Sequence, residues 1–174
     1  MVLNMLKEYR YYTGIGSRLV TDNVIDKVSN IVKKLVEKDF ILRSGGASGM
    51  DTIFEDAQDS FNGKKEIYLP WKNFNGNNSN LYNVSIESLK LAEKFHPYWN
   101  KCSSGAKKLH ARSCEQILGQ SLNIPSNLVV FWKNPNKIGG TDQALRIAKF
   151  YNIPYFNLYN DNEYEQCLSY ISSI

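Results

Sequence analysis

The stretch Phe40-Ile41-Leu42-Arg43-Ser44-Gly45-Gly46-Ala47-Ser48-Gly49-Met50-Asp51 reads as a short apolar strand running into a glycine turn and then into a helix. Strand, glycine turn and helix in this order describe a phosphate cradle. Glycines let the backbone approach an anion closely, and the first helical N–H groups, at the positive end of the helix dipole, point at it. A second turn of this kind, Ile138-Gly139-Gly140-Thr141-Asp142, follows an apolar run and opens another helical pattern. Two cradles in one small chain point to a nucleotide-like ligand.

Outward from the first cradle, the pattern alternates. Tyr11-Tyr12-Thr13-Gly14-Ile15 reads as a strand ending in Gly16-Ser17-Arg18. Val24, Ile25, Val28, Ile31, Val32, Leu35 and Val36 then recur at helical spacing, with Thr21 or Asp22 as the expected N-cap. Asp51 to Ser60 continues as a helix, and Glu66-Ile67-Tyr68-Leu69-Pro70 is a strand closed by its proline. The Asn- and Gly-rich stretch 71–82 is a loop whose Trp71 and Phe74 suit a flap over a ligand. Helical patterns over 84–95 and 104–118 flank Phe95-His96-Pro97-Tyr98-Trp99, which resets the chain direction. Leu128-Val129-Val130-Phe131-Trp132 has the continuous apolarity of a central strand buried on both faces. A helix over 140–151, a strand over 154–158 and a closing helix over 161–174 complete the chain.

This alternation predicts an α/β fold of one domain: a Rossmann-like, mostly parallel sheet with helices on both faces. Ligands bind such sheets beyond the carboxyl ends of the strands, near the switch in strand order. The turns after Ile15, Leu42, Leu69 and Trp132 are expected to gather there.

Composition agrees with a packed globule. The chain has 174 residues, of which 43% are hydrophobic and 13% aromatic, so disorder is not expected. The net charge of +4, from 21 basic and 17 acidic residues, favours anionic ligands without forming a nucleic-acid arm. Cys102, Cys114 and Cys167 lie far apart and outside CxxC spacing, which argues against a disulfide framework and against a zinc site, and for a reduced, cytoplasmic setting. The segment Met1 to Glu8 is too short and polar for a signal peptide, and no apolar run reaches the ~20 residues of a membrane span.

Each candidate site residue has a structural alternative. Gly14, Gly16, Ser17 and Arg18 offer a tight turn, a hydroxyl and a guanidinium suited to phosphate, or simply a strand-ending turn with a solvated arginine. Arg43, Ser44, Gly45, Gly46 and Gly49 form the first cradle. Asp51 behind them either accepts from ribose hydroxyls or is an acidic residue favoured by the helix dipole. Glu55, one turn on, would share its face. His110 and Arg112 stand in Lys107-Lys108-Leu109-His110-Ala111-Arg112-Ser113, a ligand-facing helix or a solvated basic face. His96 suits a packed, hydrogen-bonded histidine, and two histidines without a cysteine or carboxylate at ligand spacing make a metal site unexpected. Gly139, Gly140, Thr141 and Asp142 form the second cradle, in which Thr141 either binds phosphate or caps the helix.

The segments GIGSR, LRSGGASGMD with FEDA behind it, and GGTDQALRIAKFYNIPYFNL together resemble the SLOG superfamily, whose members include the DprA DNA-processing proteins, the LOG phosphoribohydrolases and small phage proteins. The resemblance spans about residues 10–160, and EIYLPWKNFNG, FHPYW and KKLHARSCEQILG look like a phage-associated subgroup. It implies a Rossmann-like fold and a site for nucleotides or nucleotide-derived ligands, and often a homo-oligomer. Leu109 to Ser113 resembles the LOG segment MHERK, which assigns the catalytic arginine to Arg112 but puts Ser113 in place of the lysine. Where the LOG turn PGGxGTxxE carries its catalytic glutamate, this chain has Ala144. Loss of that carboxylate removes a charge that stabilises a cationic transition state. Asp51 or Asp142 could substitute.

Three functions follow. The first is capture of a nucleotide or nucleotide-derived signal, as by a phage protein that sequesters a host defence messenger, with no cofactor. The second is cleavage of an N-glycosidic bond. The third is DprA-like binding of single-stranded DNA, using Lys107, Lys108 and Arg112 with Trp71, Phe74 and Trp99 for stacking.

Overall fold

Strands that read as continuous apolar runs end up covered on both faces. In a computed structural model that describes residues 9–21 and 23–174, they form a five-stranded sheet of order β3-β2-β1-β4-β5. The strands are β1 (Arg10–Gly16), β2 (Phe40–Ser44), β3 (Lys65–Ile67), β4 (Leu128–Trp132) and β5 (Tyr155–Asn157). Every adjacent pair is parallel. All residues of β2 and β4 are buried, as a sheet layered on both sides requires.

Among the described residues six α-helices cover it: α1 (Val24–Glu37), α2 (Met50–Ser60), α3 (Ile86–Phe95), α4 (Ser104–Leu118), α5 (Thr141–Phe150) and α6 (Asp161–Ser173). On one face, Val24, Val28, Ile31, Val32 and Leu35 of α1 share a core with Phe54 of α2, Cys167 and Ile171 of α6, and the strand residues Tyr12, Leu42 and Val130. On the other, Ala111, Cys114 and Ile117 of α4 and Ala144, Ile147 and Ala148 of α5 pack with Ile15, Val129 and Phe131. Burying an aliphatic side chain of this kind stabilises by about 1.5–3 kcal/mol before the entropy of ordering it is counted. No helix among the described residues is long and apolar enough to cross a membrane.

Local chemistry shifts several expected boundaries. The cap position of α1 is Asn23, without a side-chain cap bond, and the Thr21 hydroxyl donates to Asn23 Oδ1 (2.8 Å) instead of capping the helix. Asp22, the other expected cap, and Met1 to Glu8 lie outside the described residues. The third strand stops at Ile67, short of Pro70, and continues only as a bridge between Tyr68 and Leu81. The third helix starts at Ile86 rather than Val84, because the Ser85 hydroxyl accepts the Ser88 N–H (2.9 Å).

β1 forms the seam that positions the site. The chain moves outward from β1 through β2 to β3, then crosses to β4 on the other side. The strand order therefore reverses between β1 and β4, where a crevice opens beyond the carboxyl ends. Gly16 pairs with Trp132 there, and the Ser17 N–H donates to the Trp132 carbonyl (3.0 Å).

Candidate functional site

A cavity of about 400 Å³ occupies this crevice. Its walls are the turn after β1 (Ile15 to Arg18), Ala47 and Asp51 at the start of α2, the inner face of α4, and the loop from Lys133 into the first turns of α5. Arg18, Arg112, Lys133 and Lys137 line it against one carboxylate, Asp51.

Arg112 and Asp51 form its floor. Arg112 is 8% exposed, and its Nη1 donates to the Gly45 carbonyl and lies 3.5 Å from Asp51 Oδ2. Burial lowers the guanidinium's pKa, and Asp51 opposes that shift. Burial likewise raises the Asp51 carboxyl, against Arg112 and the backbone amides of Ala47, Gly16 and Gly45. Two donors in this floor have no protein partner: Arg112 Nε and Gln116 Nε2, both buried.

The first glycine turn is occupied by the protein itself. The carboxylate of Asp51 takes the anion position, accepting from the Ala47 N–H (3.4 Å), while the Met50 N–H donates to the Ser17 carbonyl (3.1 Å) and Thr52 N–H to Ala47 (3.2 Å). Its glycines serve close packing. Gly49 has φ +83°, and a Cβ there would fall 2.5 Å from the Ser17 and Arg18 carbonyl oxygens. A Cβ on Gly45 would fall 2.5 Å from Gln116 Nε2 and run into the Arg112 guanidinium. A phosphate cradle at Gly45, Gly46 and Gly49 is thus corrected to an internal seam, and none of the three lines the cavity. Ser44 is turned inward as well, its hydroxyl donating to the Gly14 carbonyl (2.6 Å), and Gly14 is buried against Phe54.

The second turn stays open. Gly139, Gly140 and Thr141 line the cavity, and a Cβ on either glycine would meet nothing within 4 Å. Thr141 does not cap α5; the turn is closed by Asp142, which accepts the Gly139 N–H (2.8 Å) and pairs with Lys133 Nζ (2.8 Å). Asp142 is therefore spent on the turn and does not line the cavity. Ala144 does, and presents only a methyl group there. Of the two carboxylates that might replace a catalytic glutamate, the fold presents Asp51.

Other expected residues fall elsewhere. Arg43 is 1% exposed and points away from the cavity: its Nε donates to Glu66 (2.9 Å), its Nη1 to the Ile124 carbonyl (2.5 Å), and its guanidinium stacks 3.6 Å from the Tyr11 ring centroid. Alternation puts Leu42 on one face and Arg43 on the face that α4 covers, but Arg43 lies outward from the crevice, over Tyr11 and beside Gly119 at the C-terminal end of α4. Glu55 does not pair with Asp51; it receives Lys65 Nζ (2.9 Å) and Asn77 Nδ2 (2.9 Å). Trp71 packs edge-on against Phe74, and Phe74 lies 5.9 Å from the Arg112 guanidinium, so the loop borders the floor although Trp71 does not line it. Lys107 sits over Trp99 (5.3 Å).

His110 does line the cavity, and its pKa is lowered to about 4 by burial first, then by His96, Arg146 and Arg112. His96 is half-buried and hydrogen-bonded, its Nδ1 accepting the Tyr98 N–H (3.2 Å). Its ring lies 4.2 Å from that of His110, with Cys102 beside both, contrary to the expectation that no cysteine comes within ligand distance. Gln116 and Lys133 were not anticipated from sequence, although each carried a signal: Gln116 stands one helical turn beyond Arg112, and Lys133 directly follows the central strand.

No family model matches the sequence, and no characterised protein matches it. Among solved structures the chain is similar to DNA processing protein A from Helicobacter pylori, described for its single-stranded DNA binding mode, with a TM-score of 0.58, 16% identity, and coverage of 94% of this chain and 79% of that one. It is similar to DprA from Streptococcus pneumoniae (TM-score 0.56, 17% identity), covering 96% of this chain but 57% of that one. It is similar also to the Moco carrier protein of Chlamydomonas reinhardtii (TM-score 0.51, 15% identity, 95% and 86% coverage). The Rossmann-like fold that the SLOG resemblance implies is the fold this chain has.

Proposed function

We propose that the chain captures an anionic, nucleotide-derived ligand in the crevice between β1 and β4. The observation that carries this is the pair of buried donors, Arg112 Nε and Gln116 Nε2, left without protein partners on the cavity floor. An unsatisfied buried donor costs about 1–3 kcal/mol, which an acceptor oxygen on a ligand would recover. The Nε edge of Arg112 suits two-point contact with a phosphate or carboxylate, because Nη1 is already committed to Gly45. Lys137 and Arg18 extend the positive field to the rim, Lys133 being paired with Asp142, while Ile15, Leu109 and Ala144 supply apolar wall for a base or sugar. A volume of about 400 Å³ lies within the range of small-molecule sites. The ligand is held and not cleaved, since Ala144 brings no carboxylate and Asp51 is engaged with Arg112 and the turn amides. Capture without turnover fits sequestration of a nucleotide signal, in keeping with the phage-associated resemblance.

N-glycosidic cleavage is the second reading, favoured by the position of Asp51 opposite Arg112 with its carboxyl raised by burial. One experiment separates the two. The purified protein is melted with nucleoside phosphates, NAD, ADP-ribose and cyclic oligonucleotides, and each mixture is analysed by mass spectrometry. A raised melting temperature with the ligand recovered intact is expected. Recovery as free base and sugar phosphate would make the chain a glycosidase. If no nucleotide shifts the melt while single-stranded DNA is retarded in a salt-dependent gel shift, capture of a small ligand is wrong and DNA binding replaces it.

A further inference from the structure

Beside the cavity, three potential metal ligands converge from three short pieces of chain. His96 follows the end of α3, Cys102 lies in the link before α4, and His110 stands on α4 itself. Their ligand atoms all lie within 4.8 Å of one another. Cys102 Sγ is 3.8 Å from His96 Nδ1 and 3.9 Å from Nε2. In a shared tetrahedral zinc site the sulfur and nitrogen would stand about 3.6 Å apart, so little movement is required. His110 Nδ1 is buried with no hydrogen-bond partner. Cys102 is also the one cysteine with access to solvent: Cys114 and Cys167 are fully buried, and burial pushes each of their thiols up to about 12.

We propose that His96, Cys102 and His110 bind a zinc-class transition-metal ion. Two imidazoles and a thiolate select a borderline-soft ion such as Zn²⁺ over Mg²⁺ or Ca²⁺, which prefer oxygen. Three protein ligands leave a fourth position for water. Binding converts the Cys102 thiol to thiolate and releases its proton to solvent. The groups around the cluster exchange weak contacts for the ion: the Tyr98 N–H to His96 Nδ1 (3.2 Å) and the Cys102 thiol to the Tyr98 carbonyl (3.6 Å). Arg146, whose charge acts on both histidines, opposes the cation and limits its affinity. The ion would fasten the 96–103 link to α4 two residues before Arg112 and add positive charge to a cavity wall. This site stands independently of what the cavity binds.

The test uses untagged, reduced, chelator-treated protein titrated with Co²⁺. A thiolate-to-cobalt charge-transfer band in the near ultraviolet should saturate at one equivalent and vanish on adding Zn²⁺. C102S should abolish the band while melting at the wild-type temperature without metal, and C114S should leave it. His96→Gln and His110→Gln should each weaken cobalt binding by at least about tenfold, as expected for the loss of one ligand of three. Absence of the band in the wild type, or its survival in C102S, would overturn the proposal.

Discussion

Arg43 and Arg112 are both buried, at 1% and 8% exposure, yet their partners give them different work. Arg43 spends its guanidinium on Glu66, the Ile124 carbonyl and the Tyr11 ring, so it joins β2 to β3 and to the segment after α4. Arg112 spends part of its own on Gly45 and Asp51 and leaves Nε free at the cavity floor. Arg43→Met should lower stability by about 3 kcal/mol, the low end for a buried pair losing one partner because Glu66 keeps contact with water. Denaturant midpoints measure that loss, and affinity for any ligand found in the melting screen should stay within about twofold. Arg112→Lys should do the reverse, weakening that ligand about 10–100-fold in calorimetric titration, since a charged hydrogen bond contributes about 1.5–3 kcal/mol. Equal affinity in wild type and Arg112→Lys would remove Arg112 from the binding site.

At the scale of elements, α4 is the member on which the site depends, and Glu115 anchors it to α3. Glu115 is 3% exposed and accepts from the Ser88 hydroxyl (2.7 Å) and the Ser85 N–H (3.3 Å), at the first turn of α3. Burial raises its carboxyl above the usual range, with those hydrogen bonds and Arg112 opposing. A carboxyl raised in the folded state binds its proton more tightly there than in the unfolded chain, so stability falls as pH rises from the ordinary glutamate range through the folded pKa. Glu115→Gln keeps the acceptor and removes the charge. Its melting temperature should match the wild type near pH 4 and exceed it increasingly toward neutrality; a constant difference across that range would show that Glu115 is not buried at a cost. The existence and type of these elements were legible because period and chemistry agreed, as in α1 with its apolar stripe and β4 with its unbroken run. Their ends were less legible. Ser85 moved the start of α3, and β3 lost its last residues to a loop that pairs only at Tyr68.

For the whole molecule, two cores on opposite faces of one sheet share its central strands β1 and β4, so neither can melt alone. Scanning calorimetry should give a single transition with a heat-capacity change of roughly 2 kcal/mol/K, in proportion to chain length. Two resolved transitions would mean that the faces unfold separately. What the sequence by itself determined is the alternation of strands and helices, and hence a mostly parallel sheet covered on both faces; the strand order that opens the crevice between β1 and β4 came from the structure. Periodicity and the right-handed crossover rule depend only on order along the chain. The Gly139-Gly140-Thr141 turn, read from its glycines after an apolar strand, and Arg112, read from its basic segment and the LOG resemblance, both line the crevice. Only the tertiary structure decided which glycine turn is open, because the first is packed against Arg112, Gln116 and the Ser17 and Arg18 backbone, while nothing stands against Gly139 and Gly140. It alone set Arg43 against Glu66, the Ile124 carbonyl and Tyr11 instead of in the crevice, and brought His96, Cys102 and His110 together. Those outcomes depend on how side chains from separate elements meet in space, which spacing along one chain does not encode.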